Sequence, residues 1–388
     1  MKKTKNLKLI KPIKYFPEMD ANKDLNFPFY IKATILLVGL FAFVSMLYIA
    51  QEIIVPLIFS VMIAVLLHPI VNFFVRMKIN RVVAIIFTLF LTVLITASLA
   101  ALIFRQASIF AETWPVLLDK LSATFDDFTH WCSRYFDLNQ WKVNRWIKTA
   151  KTESLTISGA DVGQTMFAVG NGIMTMLLIP VYVFILLYYN KLLIEFIHRV
   201  FANSEQKRVS QIISETKTVI QRYLAGLVIE AIIVGVLNIT ALFALGIEYA
   251  ILLGIIGALL NVIPYIGGLV AVALPMAVAL ATKSSGMYAF YVLGIYYIIQ
   301  LIDNNLIVPL IVSSKVKINA LFAILVVFAG NALWGISGMF LSIPLLAIVK
   351  VIFDHIEPLQ PWGFLLGDTM PENSIIKPII KKIKSKIL

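Results

Sequence analysis

Apolar side chains run through this chain in blocks that match the thickness of a lipid bilayer. A helix needs about 20 mostly apolar residues to cross about 30 Å of hydrocarbon. Such blocks lie at Ala33–Ala50, Ile53–Val75, Val82–Phe104, Met166–Tyr189, Leu224–Ile247, Tyr249–Ala281, Met287–Val312 and Ile318–Ile352. Two of them are too long for one crossing and are interrupted. Tyr249–Ala281 is broken by the run Asn261-Val262-Ile263-Pro264-Tyr265-Ile266-Gly267-Gly268, and Ile318–Ile352 by Asn331 and by Trp334-Gly335-Ile336-Ser337-Gly338. Each of these either crosses once or dips in and returns. The pattern predicts an all-α polytopic membrane protein with about six full spans plus two re-entrant or broken helical hairpins, or else eight spans.

Two polar stretches separate the blocks. Residues 105–165 carry seven Lys/Arg and seven Asp/Glu, and their apolar positions (Ile109, Trp114, Leu117, Leu118, Leu121, Phe125 and Phe128) recur at helical spacing. This is the pattern of an amphipathic helical insert outside the hydrocarbon. Residues 190–222 form a second such region with six Lys/Arg.

Basic loops stay in the cytoplasm. The basic segments are the tail 1–32, the turn holding Arg76, Lys78 and Arg81, the region 190–222 and the tail 353–388. Placing all four inside alternates correctly through the first five spans. The expected organisation is a cytoplasmic tail (1–32), three spans (33–104), an extracytoplasmic insert (105–165), a fourth span (166–189), a cytoplasmic helical region (190–222), a transport region with two broken segments (223–352) and a cytoplasmic tail (353–388). Lys315 and Lys317, between the last two blocks, favour hairpins, because hairpins keep that loop inside. The expected location is a bacterial cytoplasmic (inner) membrane, with both termini cytoplasmic.

Composition agrees. Of 388 residues, 60% are hydrophobic and 14% charged, against about 25% charged in ordinary soluble domains. The net charge of +12 does not indicate nucleic acid. Eight lysines fall in the first 32 residues and five close the chain, beside no nucleic-acid module. Basic tails next to spans set topology and bind anionic lipid. The N-terminal basic stretch is longer than that of a cleavable signal peptide. The lone Cys132 permits no intrachain disulfide and no thiolate cluster. No metal or other cofactor is expected.

Candidate chemistry lies where polarity enters apolar blocks. Asp303 sits mid-block with Asn304 and Asn305. A carboxylate in hydrocarbon costs about 2.5–3.5 kcal/mol on insertion scales, so it must face protein, water or a partner. It reads either as a coupling or solute-binding carboxylate or as a hydrogen-bond hub holding broken helices. Glu230, between Ile229 and Ala231, is a possible proton carrier or an interfacial residue. At the first break, Asn261, Pro264, Tyr265, Gly267 and Gly268 would unwind the backbone and offer its free groups to a ligand, unless they only kink a helix. At the second, Asn331, Trp334, Gly335, Ser337 and Gly338 would line or gate a path, with interfacial anchoring the alternative for Trp334. His68-Pro69 reads as a helix end. Short segments interrupted by Gly or Pro are the usual sequence mark of a transporter's site.

Pro264-Tyr265-Ile266-Gly267, then Gln300 with Asp303-Asn304 and Pro309, then Trp334-Gly335 with Gly338 and Pro344, together resemble the AI-2E family of transporters. The stretch from Pro56 to Pro69 resembles that family's second span. The similarity extends from about residue 30 to about residue 355 and leaves out the tails and much of 105–165. It implies an inner-membrane carrier with re-entrant elements, in which Gln300 joins the site. It also implies a homo-oligomer, a pentamer of independently transporting protomers. Family members are described as exporters of the small polar signal autoinducer-2 or as Na⁺(Li⁺)/H⁺ antiporters. The expected partners are therefore a small polar solute or a monovalent cation or proton, with membrane lipid around the chain and no nucleic acid.

Other classes fit less well. Gly335-Ile336-Ser337-Gly338 has the G-x-S-G form of a serine nucleophile, but such a serine needs a base within hydrogen-bond reach. Of His68, His130, His198 and His355, only His355 follows it, at the end of the same block. No enzyme is expected. Selective channels use rings of charge or carbonyls, whereas here the polar groups sit at helix breaks within one chain. No G-x-x-x-x-G-K-[ST] motif occurs, so no ATP site drives transport. The expected function is gradient-driven or facilitated export of a small polar solute of the autoinducer-2 type, with Na⁺(Li⁺)/H⁺ antiport as the alternative.

Overall fold

The computed structural model describes residues 28–136, 178–201, 205–263, 267–283, 285–312 and 318–368. Among them the chain is helical, and the only β contact is an isolated bridge between Ile318 and Gly367. Helix α1 (Phe29–Ile49) is a unit of its own, apolar on all sides and without a buried residue. That is the composition of a segment solvated by lipid.

The second unit contains α2 (Gln51–Arg76), α3 (Arg81–Phe136), α4 (Leu178–Tyr188), α5 (Asn190–Val200), α6 (Gln206–Ala244), α7 (Ala250–Asn261), α8 (Gly267–Thr282), α9 (Met287–Ile302), α10 (Ala320–His355) and α11 (Gln360–Leu366). Six of the described helices are long and apolar enough to cross a membrane: α1, α2, α3, α6, α9 with its extension, and α10. A seventh is counted if α4 and α5, which meet at 64°, form one span. The chain is a multi-pass membrane protein.

Part of each polar stretch continues a neighbouring span as one helix. Helix α3 continues from the apolar block through Phe136, so its 56 residues extend about 84 Å at ~1.5 Å per residue. Leu117 is buried on this extension. Ile109 is exposed, and its neighbour Phe110 takes the inward position, its ring 5.2 Å from that of Tyr249. Phe125 and Phe128 lie outside the described side chains. Likewise α6 runs unbroken through the 222/223 boundary. Helix α4 packs with α2 and α3 through Ala64, Leu67, Val71, Ala84, Ile85, Val183 and Leu187. Its last carbonyls receive Arg81, whose Nη2 donates to the Leu187 oxygen at 2.8 Å, a cation at a helix C-terminus.

Both interrupted blocks fold back on themselves. In the first, α7 and α8 flank the break. Ala250, Leu253, Ala271, Val278 and Ala279 share one core cluster, and the base closes where Gly246 approaches the Lys283 ammonium. At 12 and 16 residues the arms are only about 18 and 24 Å long, short of the hydrocarbon thickness. In the second, α10 turns at Trp334 (φ −136°, ψ 19°) and Gly335 (φ 61°, ψ −142°). Ser342 Oγ donates to the Val326 carbonyl at 2.8 Å. Sixteen residues of straight helix would separate these by about 24 Å, so the two halves of α10 run antiparallel about the turn. A φ of +61° with that ψ is open to glycine and strained for any other residue. Both interrupted blocks are thus folded as helical hairpins.

Candidate functional site

Helix α6 supplies the wall of the site. Tyr223, Leu227, Glu230, Val234, Asn238 and Leu242 recur every three or four residues and are all buried, so one stripe of a long apolar helix carries two polar groups inward. Both hairpin tips pack onto the lower part of that stripe. Val262 of the first tip and Trp334 of the second join Tyr223, Leu224, Leu227 and Leu341 in one apolar cluster, along with Val308 and Ile311. The two breaks thus converge on the centre of α6, and irregular backbone at such places is tolerated where protein surrounds it.

Asp303 enters from the third side. After Ile302 the helix widens into π-helical turns, Asp303–Val312. Pro309 within this stretch lacks the N–H that would close a regular turn, and such widened turns recur at functional sites. Asp303 is 2% exposed and Glu230 5%. Asn261, the last residue of α7, bridges them: its Nδ2 donates to Asp303 Oδ2 at 2.9 Å and lies 3.4 Å from Glu230 Oε1. Gln300 Nε2 reaches Asp303 Oδ2 at 3.5 Å and Asn304 Oδ1 at 3.3 Å. The Gln300 carbonyl lies against Gly268, leaving no room there for a Cβ, and a Cβ on Gly267 would run into the Leu260 carbonyl. These glycines allow the first tip to close onto Gln300 and onto its own helix.

Glu230, Asn261, Gly268, Gln300 and Asp303 thus come together, drawn from α6, α7, α8, α9 and the π-helical stretch that follows it. Pro264 and Tyr265 lie outside the described residues. Asn304 is exposed apart from its contact with Gln300, and Asn305 is exposed and donates back to the Leu301 carbonyl at 2.8 Å. Trp334 and Gly335 form the second tip, Gly338 is buried beside it, Ser337 is half-buried and Asn331 is exposed. No described hydrogen bond links Asn331 or Ser337 to the carboxyl pair.

Neither carboxyl has a salt bridge among the described residues, and Asp303 Oδ1 is buried without a hydrogen-bond partner there. A buried acceptor left open costs about 1–3 kcal/mol, so a group that donates to this oxygen would recover that cost. The same is true one layer away, at residues that sequence reasoning passed over. Asn238 Oδ1 and the Tyr296 hydroxyl are buried and unpartnered among the described residues. Both flank Gly257, whose missing Cβ leaves Asn238 Nδ2 and the Tyr296 oxygen 3.1 and 3.6 Å from where it would stand. Asn238 lies two turns beyond Glu230 and Tyr296 two turns before Asp303, each on the same buried stripe as its carboxyl. Helical phase from the two carboxyls was the signal that could have found them. Tyr296→Phe removes a hydroxyl that has no described partner. We expect it to leave the melting temperature unchanged or raise it, by up to about 1 kcal/mol of stability, as read by thermal unfolding in detergent.

The arrangement offers acceptors on two carboxyls, amide donors on Asn261 and Gln300, and an apolar surround. It suits a small polar molecule or a monovalent cation, and among the described residues no group of three or more His, Cys, Asp or Glu is placed to hold a metal ion.

Residues 35–357 match the family described as AI-2E family transporter. YueF of Bacillus subtilis is 28% identical over 317 residues, covering 77% of this chain and 84% of YueF. PerM of Escherichia coli is 27% identical over 331 residues, 83% of this chain and 92% of PerM. The AI-2 transport protein TqsA of Escherichia coli is 27% identical over 328 residues, again 83% of this chain and 92% of the relative.

Proposed function

From the premise that this chain belongs to the AI-2E family of transporters, we propose that it exports a small, hydroxyl-bearing polar solute of the autoinducer-2 type. Its general role is membrane transport. The observation that carries the finer reading is the amide bridge of Asn261 between two buried carboxyls, with Asp303 Oδ1 left open. A neutral polyol-like solute brings hydroxyl donors for the carboxyl oxygens and acceptors for the amides of Asn261 and Gln300. The relative TqsA, an AI-2 transport protein of which this chain covers 92%, supports the same solute class. On this reading the site residues are Glu230, Asn261, Gly268, Gln300 and Asp303, with Asn238 and Tyr296 extending it. The hairpins close the site from either side, and their movement relative to α6 gives the solute access to each face in turn. The protein would sit in the bacterial inner membrane with both termini cytoplasmic, as a homo-pentamer of independent carriers.

Proteoliposomes loaded with autoinducer-2 test this reading. Faster loss of the lumenal solute than from protein-free liposomes is expected, and equal loss overturns it. The carboxyl pair itself favours a second reading, Na⁺(Li⁺)/H⁺ exchange, because a cation would balance two carboxylates that lack a salt bridge. A pH-sensitive dye sealed in the liposomes, with Na⁺ or Li⁺ added outside, separates the two: a silent dye removes exchange. Under either reading Glu230→Gln weakens one charge-assisted contact. Initial rates are expected to fall about tenfold, the equivalent of ~1.4 kcal/mol.

A further inference from the structure

A second polar site lies at the other end of α6, away from the carboxyl pair. A cavity of about 350 Å³ opens between α2 and α6, lined by His68, Pro69, Asn72, Phe73 and Arg76 on one side and Lys217 and Gln221 on the other. Lys217 precedes Glu230 by 13 residues, or about 20 Å along the helix. The spacing explains the lining. On α2 the residues fall at i, i+1, i+4, i+5 and i+8, one helical face, and on α6 at i and i+4.

The donors outnumber the acceptors. Lys217 Nζ lies 3.2 Å from His68 Nδ1, and Asn72 Nδ2 lies 3.1 Å from the same nitrogen. The Lys217 ammonium can only donate, so Nδ1 is the acceptor and the ring proton falls on Nε2, which adds a further donor. Arg76 and the Gln221 amide complete the set. No Asp or Glu lines the cavity. Glu215, two residues before Lys217, is turned to Gln211 at 3.0 Å and to His355 at 3.5 Å. Arg81, the other nearby cation, is held by the Leu187 carbonyl. Lys217 and Arg76 are therefore two fixed positive charges that no described carboxylate neutralises.

The surroundings set the depth. Just past the cavity α2 ends at the basic turn with Lys78 and Arg81, and on its other side the exposed surface is apolar: Phe73 is 60% exposed and Ile70 43%. This is the boundary between hydrocarbon and headgroup, where basic pockets between helices bind anionic headgroups. Pro69 and Phe73 give the cavity an apolar side, and Arg76 with Lys217 gives it the fork and the point charge that suit a phosphate oxygen cluster.

We infer that this cavity binds one phosphate group, held by Arg76, Lys217 and Asn72, and supplied either by an anionic phospholipid headgroup or by a free phosphate ester. Occupancy would tie α2 to α6, the helix that carries Glu230.

Native mass spectrometry of the detergent-purified full chain tests this. The protein is incubated with phosphatidylglycerol in one arm and with inorganic phosphate in the other. One bound phosphatidylglycerol per chain is expected. Arg76→Gln combined with Lys217→Gln should cut retention by about tenfold or more. Lys207→Gln removes a charge from an exposed site outside the cavity and should not. Lys217→Arg, which keeps the charge, should retain binding, and a melting temperature of the double variant equal to that of the wild type shows that its loss of lipid is not loss of folding. Retention of lipid assigns the site to the membrane, and binding of inorganic phosphate alone assigns it to a soluble ester. Equal retention by wild type and the Arg76/Lys217 variant, or no binding in either arm, overturns the inference.

Discussion

Asp303→Asn is expected to reduce transport about 10- to 100-fold while the protein stays as stable as the wild type or becomes more so. The first half follows from the hydrogen bonds. Asp303 Oδ2 accepts from Asn261 and lies within reach of Gln300, and Oδ1 is open. An amide in its place carries no charge and, turned to keep the bond from Asn261, sets an NH2 donor where the open acceptor Oδ1 stood. Charge-assisted hydrogen bonds contribute about 1.5–3 kcal/mol, roughly 10- to 100-fold in binding. The second half follows from the surroundings. A carboxylate at membrane depth costs about 2.5–3.5 kcal/mol on insertion scales, and an amide of the same shape avoids most of that. The two readouts therefore move apart. Were Asp303 only the hub that holds Gln300 and the first hairpin in place, stability and transport would fall together. Initial transport rates in proteoliposomes beside melting curves in detergent decide between these, and wild-type rates with the amide in place would remove Asp303 from the site.

Gly338→Ala is expected to spring the second hairpin. The two halves of α10 meet with backbone on backbone: a Cβ on Gly338 would run into the Gly330 carbonyl, and one on Gly330 would meet Ser342 Oγ and the Gly338 carbonyl. Ser342 clasps the pair: its Oγ lies 2.6 Å from Gly338 O and 2.8 Å from Val326 O, and its one hydroxyl proton can serve either. The atoms in the way are mainly backbone, so no flexible side chain can swing aside. Overpacking of this kind costs about 1–3 kcal/mol, and the shift it forces would carry Trp334 off the cluster it shares with Tyr223, Leu227 and Val262. A lower melting temperature and a loss of transport are expected together. Gly294→Ala is the control. No atom lies within 4 Å of its added Cβ, and alanine in a helix interior is favoured over glycine by about 1 kcal/mol. A Gly338→Ala protein as stable as the Gly294→Ala protein would mean that the halves of α10 are not in contact.

Much of this was open to a reader of the sequence. The break at Trp334–Gly335 lies where the glycines and the polar residues interrupt the last block. Asp303, Glu230 and Asn261 stood out as polar groups inside apolar runs, and all three meet. The resemblance pointed to Gln300, which contacts Asp303. Asn304 and Asn305 were grouped with Asp303 as its neighbours in the chain, yet both are exposed. Successive residues of a helix diverge by roughly 100°, so adjacency along the chain does not mean adjacency in space. Asn238 and Tyr296 were passed over for the opposite reason. Each lies two turns from a carboxyl along its own helix, and only the closeness of both to Gly257 marks them as a pair.

Read as a sequence, this chain is already a multi-pass helical membrane protein that resembles the AI-2E family, with two interrupted apolar blocks. Its class follows from apolar runs of about 20 residues, the interruptions from Pro, Gly and polar residues inside two of them, and the resemblance from the residues at and beside those breaks. The tertiary structure alone decided that both broken blocks double back, that their tips converge on α6, and that one amide from Asn261 joins Glu230 to Asp303. These depend on which surfaces pack together between residues from 16 to more than 100 positions apart in the chain. Hydrophobicity, the same for every apolar face, does not choose among such pairings; the fit of glycine backbones and buried hydrogen bonds does.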